Sequence, residues 1–262
     1  MAYQDKKVMI LFSLYLGLAS ISLYKIFYSF AEVYYLKQLG IFMIVGTIVV
    51  FPIAIFFLFV ASYAIIKNKW DPKYIGLVAS LFLTLFFIVD FITYIGAFGW
   101  NLQFFTGRMY IIFFSIVTLF VNLLFWKRIN EKEIKLPFFQ NKATQSLFPC
   151  YIAIASISSL SIFSMVSQIL IHEKVYFYIA LVLYIFATII LIFSSKGLLE
   201  NKKNIKFLAL TGVLLFLVAL LINIYYKIFV VNDIFGYHIN RFLMIVFTTI
   251  VIILNIYYWK IN

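Results

Sequence analysis

Asp90 is the residue of this sequence best placed to do chemistry. It stands in SLFLTLFFIVDFITYIGAFGW, the one acidic group well inside an apolar run. An unpaired charge there is expensive, so it needs a partner or a proton. Lys25 is the candidate partner. Asp90 lies 17 positions past Lys73 and Lys25 lies 18 past Lys7, so at about 1.5 Å per residue both reach roughly 26 Å from the basic residues that open their runs. Two chemistries fit that shared level: a structural ion pair joining the first helix to the third, or a proton- or cation-binding site.

Three further sets of polar residues stand in or beside apolar runs. Asn122 and Asn255 lie four residues before Trp126 and Trp259, where amide side chains bond between packed helices; a paired substrate gate is the sharper alternative. The run ASISSLSIFSMVSQ carries Ser156, Ser158, Ser159, Ser161, Ser164, Ser167 and Gln168, which suit close helix packing or the lining of a hydrated path. Glu32, Arg108, His172, Glu173, Asp233, His238 and Arg241 fall near the opposite ends of the runs. Folding can gather such residues into a metal or acid-base site, but solvated loops are the plainer expectation. His172-Glu173 has no second histidine to complete a helical zinc motif, and no GxSxG elbow, P-loop or CxxC is present. No catalytic, cofactor or metal site is therefore expected. Cys150 is the single cysteine, which excludes an internal disulfide framework.

The elements that position these residues follow from composition. Of 262 residues 66% are hydrophobic and only 11% charged, with a mean hydropathy of +1.09, whereas a soluble globule carries about a quarter charged residues. Apolar runs occupy 8–27, 41–66, 74–97, 109–126, 147–171, 175–195, 207–226 and 242–259, each near the roughly 20 residues that cross a bilayer. The expected fold is an all-α polytopic membrane protein of eight transmembrane helices, kinked where Pro52 interrupts the second. Tyr24, Tyr28, Tyr34, Tyr35, Tyr94 and Trp100 are expected in an interfacial belt. The run after Lys6-Lys7 resembles a secretory signal, but the repeat described below needs it as a helix.

Charge orients the bundle. With the N-terminus inside, fifteen of the 21 basic residues are cytoplasmic and only Lys25, Lys37, Arg108, Lys174, Lys227 and Arg241 are not, so both termini are expected in the cytoplasm. The net charge of +12 is then explained by short loops against anionic lipid, without a nucleic-acid partner. Lys-, Ile-, Phe- and Asn-heavy usage fits an AT-rich genome, and a bacterial or archaeal cell membrane is expected.

An internal repeat is the strongest pattern. At an offset of 133, Arg108, Ile112, Phe114, Asn122, Trp126 and Lys127 meet Arg241, Ile245, Phe247, Asn255, Trp259 and Lys260. Ser13 meets Ser146, Ala54 meets Ala187, and Ser62 meets Ser195. Two parallel four-helix repeats, 1–133 and 134–262, are expected about a pseudo-two-fold axis along the membrane normal, joined by the polar stretch 127–146. The same offset turns Asp90 into Asn223 and Lys25 into Ser158, so both charges of the proposed pair vanish together.

Function follows only as a class. A transporter, channel or permease-type subunit with a polar site between helices leads, because a duplicated bundle leaves a cleft on its axis. A non-catalytic accessory, assembly or sensing subunit of a larger membrane complex is second, and a lipid-acting enzyme at the outer face third. The partners expected are the lipid bilayer and, for pumping or assembly, other membrane subunits or a separate ATPase.

Overall fold

In a computed structural model each of the eight apolar runs forms a helix long and apolar enough to cross a membrane. The residues described are 3–36, 46–67, 72–98, 102–125, 142–172, 174–200, 204–230 and 239–260. The helices are α1 (Tyr3–Leu36), α2 (Phe51–Lys67), α3 (Pro72–Phe98), α4 (Leu102–Phe125), α5 (Lys142–His172), α6 (Val175–Leu199), α7 (Ile205–Tyr225) and α8 (Ile239–Lys260). Among the described residues there is no strand. This is an all-helical integral membrane protein, and an even number of crossings returns the chain to its starting side.

The helices start and stop where local chemistry dictates. Pro52 sits in the first turn of α2, directly after a π-helical turn over Gly46–Val50. Proline has no N–H and its ring crowds the carbonyl four residues back, and a widened turn is one way to accommodate both. A second π-helical turn, Tyr226–Val230, extends α7. Between α6 and α7 the chain reverses through Asn204, whose φ of 65° lies in the left-handed region that asparagine tolerates. Several helices run past their apolar cores: α4 begins at Leu102 and α5 at Lys142, earlier than hydropathy alone marks. Arg108 is therefore helical rather than part of a loop.

α1 is the centre of the bundle, with 67% of its span buried. It packs against α2, α4, α5 and α8, so Leu11, Phe12, Tyr15, Leu18 and Ala19 are all shielded although they do not form one narrow stripe. α1 meets α5 closely. Phe12 stacks on Phe148 with centroids 5.7 Å apart, and Gly17 faces Ser156, whose Oγ would lie 2.7 Å from an added Cβ. Small residues at such crossings let backbones approach, the main source of helix association where lipid removes the hydrophobic drive. Outward positions carry large apolar side chains such as Phe56, Phe113 and Phe193, as contact with lipid requires.

In each half an asparagine on the last helix bonds a tyrosine on the first. Asn122 on α4 donates its amide to the Tyr15 hydroxyl on α1. Asn255 on α8 donates to the Tyr151 hydroxyl on α5 at 2.8 Å. All four residues are fully buried, so interhelical bonding accounts for both asparagines. Ser62 and Ser195 also behave alike, each donating to the carbonyl four residues back, Leu58 at 2.9 Å and Leu191 at 2.8 Å. Trp126 and 127–141 of the linker lie outside the described residues, and α8 is described at Trp259 only as backbone.

Candidate functional site

The α3–α4 hairpin sets the site. Only three residues separate Phe98 from Leu102, and the two helices pack against each other. Asp90 lies eight residues before the end of α3 and Arg108 six after the start of α4, about 12 and 9 Å along their helices. They meet. Arg108 Nε donates to Asp90 Oδ2 at 2.9 Å, with both side chains 3% exposed. The guanidinium also lies 3.9 Å from the ring centroid of Tyr94, one turn beyond Asp90 on the same face of α3. The partner of Asp90 is thus Arg108 rather than Lys25. Neither Arg108 nor Tyr94 occupies the solvated or interfacial position that its place in the sequence implies: a carboxylate and a ring on α3 give the cation a buried seat.

Lys25 nevertheless comes to the same place. It lines a cavity of about 140 Å³ at the end of the bundle remote from both termini, together with Arg108, Lys227 and Arg241. These four cations come from α1, α4, the π-helical turn after α7, and α8. The π turn places Lys227 in the wall, and such turns recur at functional sites. Tyr24, Ser161, Ser164, Gln168, Asn223 and Asn240 complete the polar lining, and no carboxylate is among the described lining residues. Asn223 is 4% exposed, and its Oδ1 has no hydrogen-bond partner among the described residues. The Tyr24 hydroxyl lies beside Arg241. Asn240 accepts the Arg241 backbone N–H at 2.9 Å, which satisfies one of the first-turn donors of α8.

The serine-rich helix divides between the two roles open to it. Ser158 donates to the Tyr184 carbonyl on α6 at 3.0 Å, and Ser159 meets the Tyr110 hydroxyl on α4 at 2.5 Å; these are packing bonds. Ser161, Ser164 and Gln168, further along α5, face the cavity. Of the residues singled out with Asp90, Lys25 and Asn223 line the cavity, Asp90 holds one of its cations from behind, and Ser158 does not take part. Glu173, Asp233, His238 and Trp100 lie outside the described residues, and Glu32 and His172 are described only as backbone positions on α1 and α5. Among the described residues no three His, Cys, Asp or Glu gather to hold a metal.

No family model, curated protein or solved structure matches this chain. Its site is therefore judged on its own chemistry. Four basic residues, several hydroxyls and amides and little volume suit a small negative group chemically, since arginine forks match carboxylate and phosphate oxygens. Sequence reasoning passed over Lys227 and Asn240, and it grouped Arg108 and Arg241 only with the outer set of Glu32, His172, Glu173, Asp233 and His238. The available signal was a spacing: Arg108 and Arg241 each lie 18 residues past a polar residue inside the preceding run, Asp90 or Asn223.

Proposed function

We propose that the chain is a transporter, channel or permease-type subunit for a negatively charged solute, and that the cationic cavity is its entry site. The observation that carries this reading is the convergence of four cations on one cavity, two from residues 1–133 and two from 134–262. Polar groups between helices mark pathways because their desolvation is otherwise too costly to retain.

The two-repeat architecture supports it. Asn122–Tyr15 and Asn255–Tyr151 are the same bond made in each half, and Arg108 and Arg241 line one cavity, as a pseudo-two-fold axis along the normal would require. The asparagines are 133 apart but the tyrosines 136, and Phe12 and Phe148, also 136 apart, stack on each other. We therefore assign the first helix of each repeat an offset three residues longer, the difference lying in the connection between the first and second helices, which is shorter in the second repeat. Within this symmetry the halves differ where it matters: Asp90 and Tyr94 correspond to Asn223 and Lys227. The first half gives its arginine a carboxylate and a ring; the second replaces them with an amide and another cation.

With the termini cytoplasmic, the cavity opens in the outer leaflet of a bacterial or archaeal cell membrane. A cysteine replacing Lys132 is expected to react only from the cytoplasmic side; labelling only from outside reverses the orientation. Transport is tested with the protein reconstituted in liposomes carrying labelled phosphate, sulfate, dicarboxylate and head-labelled phosphatidylglycerol, with Na⁺ and K⁺ as controls. At least one anion, soluble or lipid-borne, should cross faster than in protein-free vesicles. Arg241→Gln with Lys227→Gln should slow it about tenfold or more, since each charge-assisted bond is worth about 1.5–3 kcal/mol. Flux of cations alone would reverse the charge assignment, and no flux at all would remove the transporter reading.

A further inference from the structure

A second cavity, of about 300 Å³, adjoins the cationic one and shares Tyr24 and Asn240 with it. Its character is the opposite. Leu16, Leu23, Phe59, Met244 and Phe247 line it. Ser20, a polar wall residue, has its hydroxyl bonded to the Leu16 carbonyl at 2.8 Å. From Tyr24 to Leu16 the groove follows α1 for eight residues, about 12 Å towards the bilayer centre, against a hydrocarbon half-thickness of roughly 15 Å. Leu23, Phe59 and Leu243 on its walls are 40%, 39% and 41% exposed, so the groove reaches the lipid-facing surface between α1, α2 and α8.

We propose that the ligand of this site is a phosphate-bearing lipid, its headgroup held by Arg108, Arg241, Lys25 and Lys227 and one acyl chain lying in the apolar groove. The proposal deepens the functional reading above and rests on its identification of the cavity as an anion site. A soluble anion has no use for an apolar groove opening beside its charges. A lipid needs both, in this order along the normal: phosphate at the level of the helix ends, hydrocarbon below it. The chain exchanges lipid neighbours for Leu, Met and Phe side chains at little cost, so selectivity resides in the charged end, where arginine pairs with phosphate oxygens at two points. Lateral entry past Leu23 and Phe59 also spares the headgroup a passage through a sealed protein wall.

Binding, not movement, tests this. The full chain in nonionic detergent is titrated with phosphatidylglycerol, with uncharged diacylglycerol and with soluble glycerol phosphate, and bound ligand is counted by native mass spectrometry. Phosphatidylglycerol should bind one molecule per protein at least about tenfold more tightly than either fragment, since each lacks one half of the recognition. Arg241→Gln should weaken it about tenfold, with Lys227→Gln as the milder variant should the first not fold. Ala153→Phe, which fills the groove from α5, should weaken phosphatidylglycerol by a similar factor and leave glycerol phosphate unchanged. Equal affinity for glycerol phosphate and the lipid, indifferent to Ala153→Phe, overturns the proposal in favour of a soluble anion while the transport reading stands. Lipid retained equally by all variants is annular lipid and also overturns it. Tight, variant-sensitive binding without transbilayer movement of any anion upholds the lipid site and removes the transporter.

Discussion

Replacing Asp90 with Leu is expected to lower stability by about 3–5 kcal/mol, the usual consequence of stranding one member of a buried ion pair. Arg108 cannot give up its proton, and at 3% exposure it cannot reach water without moving its helix. Tyr94 would still cover one face of the guanidinium, but a ring quadrupole supplies only about 0.5–2 kcal/mol. The double change Asp90→Leu with Arg108→Met should recover most of the loss, because an apolar pair of similar volume is often as stable as the ion pair it replaces. Thermal unfolding in detergent of the single and double variants measures the coupling. Losses that simply add would show that the two side chains do not interact. Recovery with Lys25→Met instead of Arg108→Met would return Lys25 to the role of partner.

Gly76→Ala is expected to cost about 1–3 kcal/mol or more by overpacking, a large penalty for one methyl group. An added Cβ on α3 would fall on the ring end of Tyr15 from α1. That ring is fully buried, and its hydroxyl accepts the Asn122 amide from α4, so moving it strands a second polar group. Gly76 thus makes room for the bond that joins α1 to α4. Tyr15→Leu removes both the obstruction and the acceptor. The double variant Gly76→Ala, Tyr15→Leu should be no less stable than Tyr15→Leu alone, a non-additivity that melting curves resolve. A neutral Gly76→Ala would mean that the ring does not sit there.

Much of the site's height above the membrane midplane was legible in the sequence, and little of its composition was. Eight spans follow from hydropathy because a helix in lipid must satisfy its own backbone and needs about 20 apolar residues to do so. The rise per residue predicts one level for Asp90 and Lys25, and in the structure Asp90 holds Arg108, which lines a cavity with Lys25 and Asn223. The bearing of a side chain around its helix is another matter. It depends on which neighbour each helix chooses, and in α1 no narrow apolar stripe declares that choice, since four helices surround it. Lys25 and Arg108 are both at the right height for Asp90; the three-residue turn between α3 and α4 gives Arg108 the contact. Asn122 and Asn255 stood out by their register alone, whereas their partners Tyr15 and Tyr151, 136 residues apart, were hidden by a shift of three that only helix packing shows. Hydropathy also placed Arg108 and Arg241 in loops, because a scale that counts charge as water-loving cannot register a carboxylate on the next helix or a cavity shared with three other cations. Sequence determined how many helices are long and apolar enough to cross and where their apolar cores lie, one-dimensional quantities set by local energetics. Tertiary structure decided which groups at a given depth face one another, because that contact is paid for by packing among helices far apart in the chain.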